Sequence, residues 1–419
     1  MPIGQAETLR TAVDGRTGRP LDLSSWEDYL AGLGLDPSAV TRAGGRMVAG
    51  PARPIAALAL RLGLGQAFLD TPHTRQILTN LGVDPGLAPI VARRLRRLDD
   101  WRPVWQDLAA PILRRAEQAR LNGATAMAIE AIHTALTLLG LAYGGDGYYI
   151  FTPYAEQRAV LAVRRQLHGH LRALTGARVQ RLTIVHARGA TTGLLHLPSE
   201  GTGPFPTLLG LHPLAGDKDD FDTALARFRL AGFATCVIDL PAHGDLFDER
   251  RLRADDEGVA TAALDHLAGR PDVDPRRLAV LGGSLGALFA LRTAAASPRV
   301  AAVVAYASPF DVGSGIDLSV PGIRANFATV VGARSGEALS LLTHDFHLHT
   351  ILEQISCPVM LVHGTADHIC DFTATYEIAR RVRTDVTVWP VVGGDHEVAN
   401  PGAPQLSDPA ITWLQRRLV

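Results

Sequence analysis

The sequence predicts an α/β fold, a mostly parallel sheet with helices on both faces, preceded by an all-helical domain. Three observations predict it. After residue 178, short apolar runs alternate with helical patterns at the spacing of strand–helix–strand crossovers. Before it, from Leu23 to about Gly176, apolar residues recur three and four apart, with breaks at Gly and Pro. Finally, 419 residues exceed one ordinary core, and a 47% hydrophobic content is ample for two. The expected domains are 1–177, helical, and 178–419, built on the sheet.

Met1 to Pro20 is polar with no apolar h-region, and no later run reads as long and apolar enough to span a bilayer. Cys236, Cys357 and Cys370 are odd in number and lack metal-ligand spacing, as expected of reduced thiols in a cytoplasmic protein without a metal. A formal charge of −1 gives no electrostatic reason to expect nucleic acid or an anionic membrane as partner. Lys218 is the only lysine, and reads as a compositional bias.

Helices are predicted over Pro54 to Leu64, Leu87 to Leu98, Pro103 to Ala119, Ala124 to Leu141 and Tyr154 to Leu174. The last two flank a stretch rich in glycine and aromatics, 143–154. Its Tyr148, Tyr149, Phe151 and Tyr154 are candidates to line an apolar, ring-stacking pocket; packing at a seam between domains is the plainer explanation. Trp101 and Trp105 are read as packing residues.

At Val179 the period changes. Val179 to His186 and Thr192 to Leu197, joined by a turn with Gly189, suit a strand pair. Further strands are expected over Pro206 to Leu211, Ala234 to Leu240, Leu278 to Leu281, Val300 to Ala307, Pro358 to Val362 and Val386 to Val392, with helices over Asp222 to Leu230 and Glu257 to Leu267. Ser308 to Leu342, rich in Gly and Ser, is expected to form a lid or pocket edge. Asp311, Asp317 and Asn326 are polar groups there; Asp311 is a candidate substrate contact, with a solvated loop residue as the default.

The run Leu278 to Leu281 opens into Gly282-Gly283-Ser284-Leu285-Gly286, a Gly-x-Ser-x-Gly turn between strand and helix. Such a turn lifts the serine hydroxyl above the sheet end, and its glycines allow tight backbone approach. Asp367 stands just past the strand at Pro358, and His396 just past the strand at Val386. Ser, Asp, His, each beyond an apolar strand, is the order and placement of the α/β-hydrolase triad. Ser284 is the candidate nucleophile, His396 its base, and Asp367 the group that orients the imidazole. The loop after Leu211 is where this fold places half of its oxyanion hole. Pro213 has no N–H, so the Leu214 and Leu285 N–H groups are the candidate donors. His212 and His243 lack the position after the last strand and are expected to be structural.

The runs from His212 to Lys218, Asp239 to Gly244, Val273 to Leu278, Gly282 to Gly286, Ile355 to Pro358 and His363 to Asp367 resemble the FrsA-like branch of α/β-hydrolases. Pro213 and Ala242 stand where that branch usually has glycine, and Ala287 replaces a common second glycine. The resemblance implies a helical cap domain, a small-molecule substrate held between it and the catalytic face, no cofactor, and often a homodimer. The branch includes esterases, carbon–carbon bond hydrolases acting on aryl ketones, and enzymes that shorten polyketides.

The expected function is therefore that of a serine hydrolase cleaving an ester or a ketone carbon–carbon bond of an apolar, aromatic or polyketide-like molecule. Acyl transfer or cyclisation on the same three residues, and a catalytically silent binding protein on the same fold, remain open alternatives. Haloalkane chemistry is excluded, because it needs a carboxylate where Ser284 stands.

Overall fold

The computed structural model describes residues 11–40, 42, 58, 60–64, 83–143, 154–319 and 321–418. The chain divides into two compact units, one of Met1–Val48, Gln180–Ile316 and Ser340–Val419, the other of Ala49–Val179 and Asp317–Leu339.

In the first unit, the described residues form one sheet from β1 (Ala12–Asp14), β2 (Val179–His186), β3 (Gly189–His196), β4 (Phe205–Leu211), β5 (Ala234–Ile238), β6 (Val273–Gly283), β7 (Ala302–Tyr306), β8 (Val359–Gly364) and β9 (Val386–Val391). Their order is β1-β9-β8-β7-β6-β4-β5-β3-β2. Every pair from β1 to β5 is parallel, and β3 joins β5 antiparallel. All residues of β5, β7 and β8 are buried. Coverage on both faces explains why these strands are continuous apolar runs without alternation. Successive strands β4 and β5 build one way and β6 to β9 the other, so the winding reverses at β4. In open α/β sheets the carboxyl ends of the strands at such a reversal form a crevice.

One face of the sheet packs Leu208, Val237, Leu281, Val304 and Val362 against Phe221, Phe228, Leu406, Ala410 and Leu414. The last three come from the helix Pro404–Arg417, to which the buried Tyr306 hydroxyl is tied through Leu406 O at 3.1 Å. Truncating one such leucine to alanine costs about 2–5 kcal/mol.

Two expectations about domain membership are corrected. The first placed all of 1–177 in the helical domain, whereas β1 extends the sheet beyond β9, with Ala12 opposite Val386. The helix Trp26–Leu33 also belongs to this unit: it is capped by Ser25, ends at Gly34 with φ 63°, and stacks Trp26 and Tyr29 against Phe372 and Tyr376. The buried Tyr29 hydroxyl meets Thr375 Oγ1 at 2.7 Å. A strand of three residues is too short to leave a period-two signal. The second expectation made Ser308 to Leu342 a lid or pocket edge. Within it Pro321–Val331 and Gly336–Thr343 are helices, and 317–339, expected in the sheet domain, group instead with the helical unit, where Phe327, Val330 and Val331 are buried.

In the helical unit, Leu87–Arg94, Trp101–Leu121, Thr125–Tyr143 and Tyr154–Thr175 are helices, close to the expected spans. The predicted helix at Pro54 to Leu64 lies largely outside the described residues. Contrary to expectation, Thr125–Tyr143 is long and apolar enough to cross a membrane by length and composition, with a mean hydropathy of 1.4 over Thr125–Ala142. Ala128, Ile132, Ala135 and Leu139 are buried as it packs along its two neighbours, and Trp101 Nε1 donates to Leu141 O at 2.8 Å. Part of its apolar surface is thus used within the unit.

Lys218, read as a compositional accident, has a defined place. It begins the helix Lys218–Ala224, capped by Asp217, and its side chain is fully buried. Its Nζ lies 2.8 Å from Asp239, 2.8 Å from Asp245 and 3.4 Å from Asp219, and its backbone N–H donates to Asp239 at 3.0 Å. Burial pulls the amine down, but the carboxylates outweigh it and hold it protonated. A compact ammonium can face three carboxylates at once, which a planar guanidinium fork does less well. The cluster ties the segment after β4 to the segment after β5. Lys218→Met should cost about 3–5 kcal/mol in urea unfolding, because it leaves buried carboxylates uncompensated. Lys218→Arg should also destabilise. A loss near the ~1 kcal/mol of a surface pair would contradict this role.

Candidate active site

Ser284 sits between β6 and the helix Leu285–Ala296 with φ 51° and ψ −117°. A serine held there stores about 1–3 kcal/mol of backbone strain. The turn is kept in place by contacts that leave no room for side chains. A Cβ on Gly282 would lie 2.1 Å from Gly286 O, one on Gly283 2.0 Å from Ala399 O, and one on Gly286 2.0 Å from Leu211 O and 2.6 Å from His212 O. The Ser284 N–H donates to Tyr306 O at 2.8 Å, fixing the turn to the end of β7.

The loops after β8 and β9 are laced together. Ala366 N–H donates to Gly394 O at 2.8 Å and Thr365 N–H to Val391 O at 3.0 Å, while Thr365 Oγ1 accepts from Gly393 N–H at 2.9 Å. Gly393 has φ 72°, a left-handed turn that suits glycine. These bonds bring His396 beside Asp367: His396 Nδ1 is 2.9 Å from Asp367 Oδ2, and His396 Nε2 is 3.0 Å from Ser284 Oγ. With Nδ1 donating to the carboxylate, Nε2 carries the lone pair and accepts from the serine hydroxyl.

Asp367 is fully buried, and its acceptor capacity is used. Oδ1 takes the N–H groups of Ile369 at 2.8 Å and Cys370 at 2.9 Å; Oδ2 faces His396 at 2.9 Å and His363 Nε2 at 3.3 Å. Burial alone would raise this carboxyl, but the charge of His396 and the histidine hydrogen bonds hold it well below the usual range. Burial in turn pulls His396 down, and the Asp367 carboxylate more than offsets this, leaving it above its ordinary 6.5. The arrangement is a hydroxyl joined to a base that is joined to a permanent anion.

The two candidate backbone donors lie at this end of the sheet. Leu285 N–H opens the helix after Ser284, and Leu214 N–H is two residues past the His212 carbonyl that closes on Gly286. Among the described residues, neither N–H makes a hydrogen bond. Ala242, where glycine was noted as usual, takes φ 64°, the backbone that glycine adopts most cheaply.

Asp311, the candidate substrate contact, is hydrogen-bonded to His349 Nε2 at 2.9 Å and to the Ser314 N–H at 3.0 Å. Tyr148, Tyr149 and Phe151 lie outside the described residues; Tyr154 begins the helix Tyr154–Thr175, its side chain also outside the description.

Two neighbours were missed. His363, quoted only as part of a motif, donates through Nε2 to Cys370 O at 2.7 Å and braces Asp367. Cys370, set aside as a bystander, has its thiol within hydrogen-bonding reach of the Ser284 hydroxyl. Burial, reinforced by Asp367 and Asp371, pushes that thiol well above its ordinary value, so it stays neutral. Spacing gave a signal only for His363, four residues from Asp367 and on the same run.

Residues 148–314 match the family "Esterase FrsA-like", and residues 260–396 match the prolyl oligopeptidase family. The chain is 30% identical over 171 residues to 2,6-dihydropseudooxynicotine hydrolase of Paenarthrobacter nicotinovorans, a match covering 41% of this chain and 46% of that protein. It is 30% identical over 219 residues to Esterase FrsA of Klebsiella pneumoniae (strain 342), covering 50% and 52%. The chain thus spans about half the length of the curated relatives it matches. The crystal structure of 2,6-dihydroxy-pseudo-oxynicotine hydrolase superposes with a TM-score of 0.66 at 23% identity, covering 85% of this chain and 96% of that one. AbyA5 gives 0.55 at 19%, covering 69% and 80%. These structures share the fold. Together with the serine turn and the parallel sheet, the matches mean that the chain belongs to the α/β-hydrolase superfamily, and that residues 148–314 are similar to FrsA-like esterases.

Proposed function

We propose that the chain is a serine hydrolase that cleaves an ester, or a ketone carbon–carbon bond, of an apolar small molecule. The observation that carries this reading is the continuous hydrogen-bonded series Ser284–His396–Asp367, 3.0 and 2.9 Å, with the serine on a strained turn. The named activities of the relatives, an esterase and a dihydropseudooxynicotine hydrolase, support the choice of bonds.

In this mechanism Ser284 Oγ bonds to the substrate carbonyl carbon as its proton passes to His396 Nε2. The carbonyl electron pair moves onto oxygen, where the Leu214 and Leu285 N–H groups receive it. When the oxyanion collapses, the bond to the leaving oxygen or carbon breaks, and His396 gives its proton to that atom. A water then repeats the sequence: His396 takes its proton, the hydroxide oxygen bonds to the acyl carbon, and Ser284 leaves with the proton returned. Asp367 remains a carboxylate throughout and stabilises the transient imidazolium. A carbon leaving group is accepted only where a neighbouring carbonyl or aromatic ring stabilises the carbanion.

Treatment with a fluorophosphonate should give one covalent adduct by intact mass. Ser284→Ala should give none, and His396→Ala should react at least about 100-fold more slowly. A wild-type protein that forms no adduct would contradict the proposal.

The labelling rate should also rise with pH along a single limb, because only neutral His396 accepts the serine proton. The midpoint should lie above 6.5, since His396 is raised from that value. In Asp367→Asn the limb should move to lower pH and the maximal rate fall by about 10⁴-fold. A limb unmoved by this substitution would show that Asp367 does not act on His396.

A further inference from the structure

His212 is fully buried at the end of β4, and the proposed chemistry leaves it unused. Its tautomer follows from its partners. Nε2 lies 3.0 Å from the backbone N–H of Leu240, which can only donate, so Nε2 is the acceptor. The proton is then on Nδ1, which lies 2.9 Å from Pro213 O and donates to it. Burial pushes the imidazole down to about 4, so this neutral form persists at working pH.

The acceptor matters because of the peptide it belongs to. Pro213 C=O and Leu214 N–H share one planar unit, and across a trans peptide they point in opposite directions. Holding the Pro213 carbonyl toward His212 therefore turns the Leu214 N–H the other way. A second bond, from Gly216 N–H to Pro213 O at 3.1 Å, holds the same carbonyl. The next carbonyl, Leu214 O, lies 2.9 Å from Nε2 of His243, whose other nitrogen faces Pro241 O and whose ring packs 4.7 Å from that of His212. The Leu214 N–H itself has no partner among the described residues, and the His212 carbonyl touches the turn that follows Ser284.

We propose that His212 is a positioning residue that aims the Leu214 N–H at the oxygen anion formed when Ser284 attacks. This rests on the serine-hydrolase reading above. His212 never meets substrate; its Nδ1–H sets the orientation of one peptide after β4, while the bond that Nε2 accepts from Leu240 N–H contributes to stability.

Two substitutions divide its two hydrogen bonds. Asparagine places an amide N–H near the Nδ1 position and can serve Pro213 O, but it cannot reach Leu240. Glutamine places its amide near Nε2 and can accept from Leu240 N–H, but leaves Pro213 O without the donor. Phenylalanine fills the space and does neither. A residue that only stabilises would lose activity in the order in which it loses stability. A positioning residue would not.

The test uses p-nitrophenyl butyrate turnover, fluorophosphonate labelling and thermal unfolding of the wild type, Ser284→Ala, His212→Asn, His212→Gln and His212→Phe. The expected melting order is His212→Gln above His212→Asn, while the order of kcat is the reverse. His212→Gln and His212→Phe should lose roughly 10- to 100-fold in kcat, less than for outright loss of a donor because Gly216 still holds the carbonyl. KM should stay within about threefold. Activities that follow the melting order, or three variants all within about threefold of wild type, would overturn the proposal while leaving Ser284 as nucleophile. A wild type inert to both probes would overturn the serine-hydrolase reading and this proposal together.

Discussion

The close backbone approach around Ser284 is the constraint from which the rest of the site follows. Four segments distant in sequence meet there: the turn itself, the end of β4 at Leu211 and His212, the end of β7 at Tyr306, and Ala399 beyond β9. Contacts of about 2 Å from a would-be Cβ are possible only because positions 282, 283 and 286 carry no side chain. The strain in Ser284 is maintained because the neighbours on every side are covalently continuous with buried strands.

Charge is handled differently at the two centres of this unit. At Asp367, one carboxylate is surrounded by N–H donors, two from the backbone and two from histidines, and these together with the charge of His396 keep it ionised. At Lys218, one ammonium is surrounded by carboxylates. In the proposed mechanism the first arrangement tunes a base that changes protonation state; the second ties the segments after β4 and β5 together. Both lie after the carboxyl ends of strands, where the parallel sheet converges its loops. Cys370 shows the same logic: a thiol beside the serine is kept neutral by burial and by the anions Asp367 and Asp371.

Much of this was legible in the sequence, for physical reasons that differ by region. Strands buried on both faces, such as Ala302–Tyr306 and Val359–Gly364, leave uninterrupted apolar runs, and Ser284, Asp367 and His396 were visible because each ends such a run. The helices Trp101–Leu121 and Thr125–Tyr143 were visible by their period. The strand Ala12–Asp14 was not, since three residues carry no period and its partner is more than 370 residues away. Helix Pro321–Val331 was hidden by the Gly- and Ser-rich composition of the stretch 308–342 around it, and its grouping with the helical unit depends on contacts that no local pattern encodes. His212 holds the structural place expected of it, through Leu240 N–H, while the surroundings of Lys218 and Cys370 were not legible because each depends on a partner brought in by the fold, Asp239 and Ser284 respectively.

The central claim is that the hydroxyl of Ser284 and the N–H groups of Leu214 and Leu285 converge on one carbonyl. The most direct measurement is a crystal structure of the fluorophosphonate-treated protein. The expected result is phosphorus bonded to Ser284 Oγ, with its non-bridging oxygen about 2.7–3.1 Å from both backbone nitrogens. Phosphorus on another residue, or an oxygen turned away from both nitrogens toward solvent, would contradict it.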